Sequence, residues 1–82
     1  TNVMDFIELS LDYSVFEISA STQFVNKTLG ELDLRAVYEI NVVAIKKGAD
    51  QIVIAPGANA IVEEGDVLVV VCNKKALSKL PD

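Results

Sequence analysis

Histidine and tryptophan are absent from this chain, and cysteine, methionine and arginine occur once each. Without histidine the sequence lacks both the commonest general base and the commonest metal ligand. A single cysteine, Cys72, excludes an internal disulfide, so the fold is not expected to depend on an oxidising compartment and the cytosol is the default location. Long apolar runs are missing too. The longest, Val67 to Cys72, falls far short of the roughly 18 residues that a membrane span requires, and no signal-peptide pattern opens the sequence. Positive charge is scarce: the formal net charge is −5, and the cations are scattered as Lys27, Arg35, Lys46–Lys47, Lys74–Lys75 and Lys79. This argues against a DNA- or RNA-binding protein, which would lay a basic face along the phosphates. With no paired nucleophile and base and no phosphate-cradling glycine-rich loop, the chain is not expected to be an enzyme.

Apolar residues, by contrast, are plentiful. They make up 51% of an 82-residue chain, and much of the excess is valine and isoleucine. One domain of this size buries only about 60–65% of its unfolded surface, so a lone monomer is marginal. Part of the apolar surface is expected to meet a second subunit.

Residues 1–12 read as a connector with a short strand, Phe6 to Leu9, and the sequence starts without methionine, as expected of a piece of something longer. Tyr13 to Ala20 alternates, with Phe16, Ile18 and Ala20 on one face, which predicts a half-buried strand. Thr28 and Glu31 form a T-x-x-E capping box, predicting a helix from Leu29 with a narrow stripe of Leu29, Leu32 and Ala36, then a second turn through Arg35 to Glu39. Asn41 to Lys46 is β-branched and apolar on both faces, which predicts a central strand covered on both sides. Lys47 to Asp50 makes the turn to a partner strand, Gln51 to Ala55, which Pro56–Gly57 ends. Glu63 to Asp66 turns into the strand VLVVVC, and Asn73 caps a last helix with Ala76, Leu77 and Leu80 inward. The whole is a small two-layer α+β domain: strand, short helix, hairpin, strand, terminal helix.

The ordered segments NKTLGELDLR from Asn26, VYEINVVAIKKG from Val37, IAPGANAIVEEGDVLVVV from Ile54 and the LSKL tail resemble the C-terminal domain of regulators of K⁺ conductance, the TrkA-C or RCK-C domain. The resemblance covers Tyr13 to Leu80, so residues 13–82 are taken as that domain. It departs from the family pattern at Asn26 and Glu39, where glycine is common; asparagine tolerates left-handed backbone, glutamate less readily.

This resemblance implies a two-fold dimer and a cytosolic subunit in which the domain follows a Rossmann-like RCK domain and works with a membrane K⁺ transporter, channel or antiporter. It also implies regulation by cyclic di-AMP bound in the dimer cleft. Carried over by position, the dinucleotide site falls on Leu29, Asp33, Leu34, Arg35, Asn41, Val42 and Pro56; other members of the family bind divalent cations or have no known ligand, and no metal or cofactor is expected here. The residue types suit that role. Two Arg35 guanidiniums related by a two-fold axis match two phosphates of a symmetric ligand, Asn41 has an amide for a purine edge, and the aliphatic residues offer surface for adenine.

The residues also admit plainer readings. Arg35 is placed to satisfy the last carbonyls of its helix or to pair with Asp33 or Glu39, and Leu29, Leu34 and Val42 suit a core or dimer interface. Glu63, Glu64 and Asp66 read as a polar turn rather than a cation site. Cys72 reads as a small buried hydrophobe and the Lys74–Lys75–Lys79 set as a solvated helix face. The competing function is a domain that only assembles subunits, with no small ligand.

Overall fold

A computed structural model describes residues 2–81; Thr1 and Asp82, the outer ends of the two expected segments, lie outside the described residues. The strands are β1 (Val3–Glu8), β2 (Tyr13–Ser19), β3 (Asn41–Lys47), β4 (Gln51–Ile54) and β5 (Val67–Asn73). Among the described residues a 3-10 turn (Thr22–Phe24) and three short α-helices accompany them: α1 (Leu29–Leu32), α2 (Leu34–Tyr38) and α3 (Lys74–Leu77). The strands form one antiparallel sheet in the order β1-β2-β5-β3-β4.

Register sorts the side chains. Phe16 pairs with Val70, and Ile18 pairs through Leu68 with Ile45, so these residues share a face. Together with Leu34, Ile40, Val62, Ala76, Leu77 and Leu80 they make one hydrophobic core, in which Ile45, Val62, Leu68 and Val70 have no exposed surface. Each such aliphatic side chain contributes about 1.5–3 kcal/mol on burial. The opposite face carries Val15, Glu17, Val67, Val69 and Lys46, all half-buried, with a 2.7 Å ion pair from Lys46 to Glu17 spanning β5. The two-layer α+β domain expected from the sequence is therefore the observed one.

Three local expectations need correcting. The strand expected to be central, β3, is second from the edge; β5 is in the middle. β5 alternates Leu68, Val70 and Cys72 into the core and buries Val67, Val69 and Val71 partly on the other side, whereas β3 exposes Asn41 and Val43 and ends in two lysines. β3 also bulges after Val42, so that Val43 has no partner on β5 and instead accepts a 2.8 Å hydrogen bond at its carbonyl from the Ala55 amide. The first strand is longer and earlier than Phe6–Leu9. It pairs with β2 from Val3 onward, and the Leu9 and Ser10 amides then turn to the Tyr13 carbonyl, which closes it. Ala36 is exposed rather than inward. Asp33 is left-handed and splits the helical segment, which resets the phase and buries Leu34 in its place.

Lys47, the last residue of β3, ties the hairpin to the segment before β5. Its ammonium donates to Asp66 Oδ2 at 2.7 Å, Glu63 Oε1 at 2.8 Å and the Ile61 carbonyl at 3.2 Å, and Asp66 is only 4% exposed. Glu63 and Asp66 are thus spent on a lysine. Desolvation alone would lower the Lys47 pKa, but the hydrogen bonds it donates to Asp66 and Glu63, and their charges, outweigh it and raise it above the ordinary lysine value. A raised pKa stabilises the fold fully below that ordinary value, and the contribution is lost as pH rises through the folded-state pKa. Lys47→Met leaves the Asp66 carboxylate without its cation and is expected to cost about 2–3 kcal/mol at neutral pH. Denaturant titrations should show the gap between parent and variant narrowing as pH climbs past 10.5; a gap that stays constant contradicts this reading.

Candidate functional site

The segment from Thr28 to Val42 makes two short helical turns and enters β3, and its geometry follows from how its backbone groups are satisfied. Thr28 caps α1 through both halves of the expected box: its hydroxyl accepts from the Glu31 amide at 3.1 Å, and the Glu31 carboxylate accepts from the Thr28 amide at 3.0 Å. The Thr28 amide, and the Thr28 hydroxyl that also donates to it at 3.1 Å, hold the Glu31 carboxyl below the usual carboxylate range. The amides of Leu29 and Gly30, which a free helix start would leave open, donate instead to Ala60 O at 2.9 Å and Ala58 O at 2.8 Å. Consequently the start of α1 offers no amides to an anion. This seam also fixes the loop after Pro56 against the helix. A Cβ on Gly30 would lie 3.1 Å from Ala58 O and 3.2 Å from Ala58 Cβ, so glycine permits the approach.

Left-handed residues then turn the chain twice. Asp33 (φ 47°, ψ 50°) ends α1 with its amide on Leu29 O. Glu39 (φ 60°, ψ 39°) ends α2 with its amide on Arg35 O and Leu34 O, and the next residue, Ile40, is buried at 1% exposure. Asn26, the other position where the family pattern favours glycine, is also left-handed at φ 68°. Both departures therefore fall where the backbone itself favours glycine.

Between these turns and the Pro56–Ala58 loop lies an open groove of about 380 Å³, at the small end of the range for ligand pockets. Leu29, Asp33, Leu34, Arg35, Asn41, Val42 and Pro56 all line it, so the fold brings the seven residues expected from the sequence to one place. Gly30, Ile40, Gly57 and Ala58 line it as well and were not expected. Pro56–Gly57 was legible as a turn, but the contact of Gly30 with Ala58 joins residues 28 positions apart and left no mark in local pattern. No aromatic ring borders the groove: Phe24 stacks near Tyr38 with centroids 6.4 Å apart, and Phe6 near Phe16 at 6.1 Å.

Arg35 is the cation of the groove, whose lining also includes the acidic Asp33. Its Nε donates to Asn41 Oδ1 at 2.8 Å, and among the described residues no carboxylate forms an ion pair with it. Neither Asp33 nor Glu39 neutralises it, contrary to the plainer reading. Lys46 and Lys47 are paired with carboxylates, so the groove holds a cation left available to an anion. Cys72 lies elsewhere, 1% exposed beneath the core, and burial pushes its thiol pKa up, which makes it unreactive.

The pattern agrees with known proteins. The TrkA-C domain model matches residues 13–81. The chain belongs to the TrkA-C domain family. It is 38% identical over 78 residues to the Ktr system potassium uptake protein C of Bacillus subtilis (strain 168), which covers 95% of this chain and 35% of that protein. It is also 38% identical over 77 residues to the K(+)/H(+) antiporter subunit KhtT of the same organism, covering 94% of this chain and 46% of that one. The chain thus spans about a third to a half of these relatives. Among solved structures, the RCK C domain of the potassium transport protein KtrA in complex with cyclic diadenosine monophosphate superimposes with a TM-score of 0.76 at 33% identity, over 82% of this chain and 78% of that one. The chain is accordingly an RCK C-type domain of the kind found in K⁺ transport regulators.

Because Glu39 adopts a conformation in which a Cβ is unfavourable, Glu39→Gly should relieve strain by more than the added freedom of the unfolded chain takes away. The expected gain is about 0.5–1 kcal/mol in chemical denaturation, with the Arg35 and Asn41 amide resonances little moved. A loss of stability would mean that the glutamate side chain contributes something the geometry does not reveal.

Proposed function

We propose that this domain is the regulatory, ligand-binding and dimerisation module of a cytosolic subunit that gates K⁺ transport, and that it binds cyclic di-AMP in a cleft formed where two copies meet. The observation that carries the reading is the groove itself. The seven residues that the family resemblance implies as one site converge on it, around an arginine with no carboxylate partner among the described residues. Likeness to a domain solved with cyclic di-AMP supports the same ligand.

The physical case rests on symmetry and charge. One groove accommodates part of a dinucleotide, and a two-fold axis supplies the second groove for the other half. Each Arg35 then faces one phosphate through charge-assisted hydrogen bonds, against a domain whose overall charge of −5 repels anions in general. Leu29, Leu34, Val42 and Pro56 give adenine an aliphatic rest, and the Asn41 amide reaches its edge. On this reading the groove recognises a ligand and the module is regulatory rather than an enzyme. It acts with a preceding Rossmann-like RCK domain and a membrane K⁺ transporter, channel or antiporter, as a peripheral cytoplasmic partner. Among the described residues no helix is long and apolar enough to cross a membrane.

Titration calorimetry of the domain with cyclic di-AMP is the test. Micromolar binding at one ligand per two chains is expected, and Arg35→Ala should weaken it at least 100-fold, or about 3 kcal/mol. Absence of heat at millimolar ligand would leave an assembly-only domain as the better reading, and an Arg35→Ala variant that binds like the parent would overturn the phosphate assignment.

A further inference from the structure

Arg35 is an exposed side chain on a five-residue helix, and an unrestrained arginine there would sample many rotamers. It is not unrestrained. Its Nε–H donates to Asn41 Oδ1 at 2.8 Å. Both ends of this bond stand on fixed backbone: the Glu39 amide closes on Arg35 O and Leu34 O, the Ile40 amide on Leu34 O at 3.2 Å, and Ile40 is anchored in the core. Asn41 is then held in the sheet opposite Val71. The donor also settles the amide orientation, since an N–H needs an oxygen: Oδ1 faces the guanidinium, and the Asn41 NH₂ has no hydrogen-bond partner among the described residues.

We propose that Asn41 is a positioning residue for Arg35, clamping its guanidinium by Nε so that only the two terminal amino groups face the groove. This inference rests on the reading that the groove takes a phosphodiester. It specifies the contact: the side-on fork made by Nε and one amino group is occupied, so a phosphate is engaged end-on by both amino groups. The pair still offers six N–H donors, four from Arg35 and two from Asn41, against the one remaining lone pair of Asn41 Oδ1. It therefore suits an acceptor-rich anion such as a phosphodiester. Holding the guanidinium before the ligand arrives also removes part of the ordering cost from binding.

Arg35 is the only arginine, so its Nε–Hε group gives one unambiguous ¹⁵N–¹H signal in the intact domain. Without ligand, that signal is expected to be ordered and slow to exchange with water in the parent. It should become mobile and fast-exchanging in Asn41→Ala and regain its order in Asn41→Asp, which keeps the accepting oxygen, while backbone amide spectra stay near the parent's. In titrations with cyclic di-AMP, Asn41→Ala should bind about 10-fold more weakly. Asn41→Asp should bind weakly despite its ordered arginine, because the added carboxylate neutralises the cation.

A parent signal as mobile as that of free arginine, or one unchanged by Asn41→Ala, overturns the clamp. So does an Asn41→Ala variant that loosens Arg35 yet binds as tightly as the parent. If the parent binds no cyclic di-AMP at all, the functional reading fails, and the ligand-free signal still decides whether Asn41 positions Arg35.

Discussion

The placement of β5 between β2 and β3 is the constraint on which the rest depends. β2 and β3 are more than 20 residues apart in sequence and do not pair with each other; β5 pairs with β2 from Val67 to Asn73 and with β3 from Val67 to Val71. The last strand therefore joins two halves that have no other sheet contact, and its alternating Leu68, Val70 and Cys72 supply the centre of the core. The Lys47 side chain, at the end of β3, serves the same junction, since Asp66, which it binds, immediately precedes β5. Contacts this distant in sequence close large loops, which places the loop-closure cost of folding on the insertion of one strand.

From that frame the groove follows. β3 is held by β5 from Asn41 onward and by β4 from Ala44 onward, so its first residue, Asn41, is fixed by its pairing with Val71. α1 and α2 are too short to be stable by themselves and are defined by what they touch: the loop Ala58–Val62, hydrogen-bonded along Asn26–Gly30, and the core beneath Leu34 and Ile40. Left-handed backbone at Asp33 and Glu39 sends the chain sharply back toward the sheet. Arg35 lies between those two turns, and Asn41 meets it across the second. Strain in the backbone and an unneutralised charge thus occur within one short segment, and both are departures from what stability alone favours.

Much of this was legible in the residues. The Thr28–Glu31 box, the alternation of β2, the hairpin turn and the Asn73 cap are local signals, and each appears where its pattern placed it, because the interactions involved span only a few residues. Strand order was not legible in the same way. NVVAIK and VLVVVC are both continuous apolar runs, and which of them takes the middle is decided by pairing energies spread over the sheet and by a bulge at Val43 that composition does not encode. Position-by-position resemblance gathered seven groove residues, whereas Gly30 and Ala58 entered only through a contact between distant segments. The partnership of Arg35 with Asn41 rather than with Asp33 or Glu39 was beyond reach of sequence, because the left-handed turns decide which neighbour lies within 3 Å of Nε.

Membership of the TrkA-C family places the domain among K⁺ transport regulators, and the groove combines aliphatic surface with one cation, Arg35, that no carboxylate pairs among the described residues. Two such grooves related by a two-fold axis would read a symmetric dianion as a unit. A crystal structure of the domain grown with cyclic di-AMP gives the decisive measurement. One ligand should lie on the axis of a dimer, with each phosphate oxygen pair within 3.2 Å of the Arg35 terminal amino groups and the Nε bond to Asn41 intact. A ligand bound away from this groove, or bound in it with Arg35 turned to solvent, would contradict the reading.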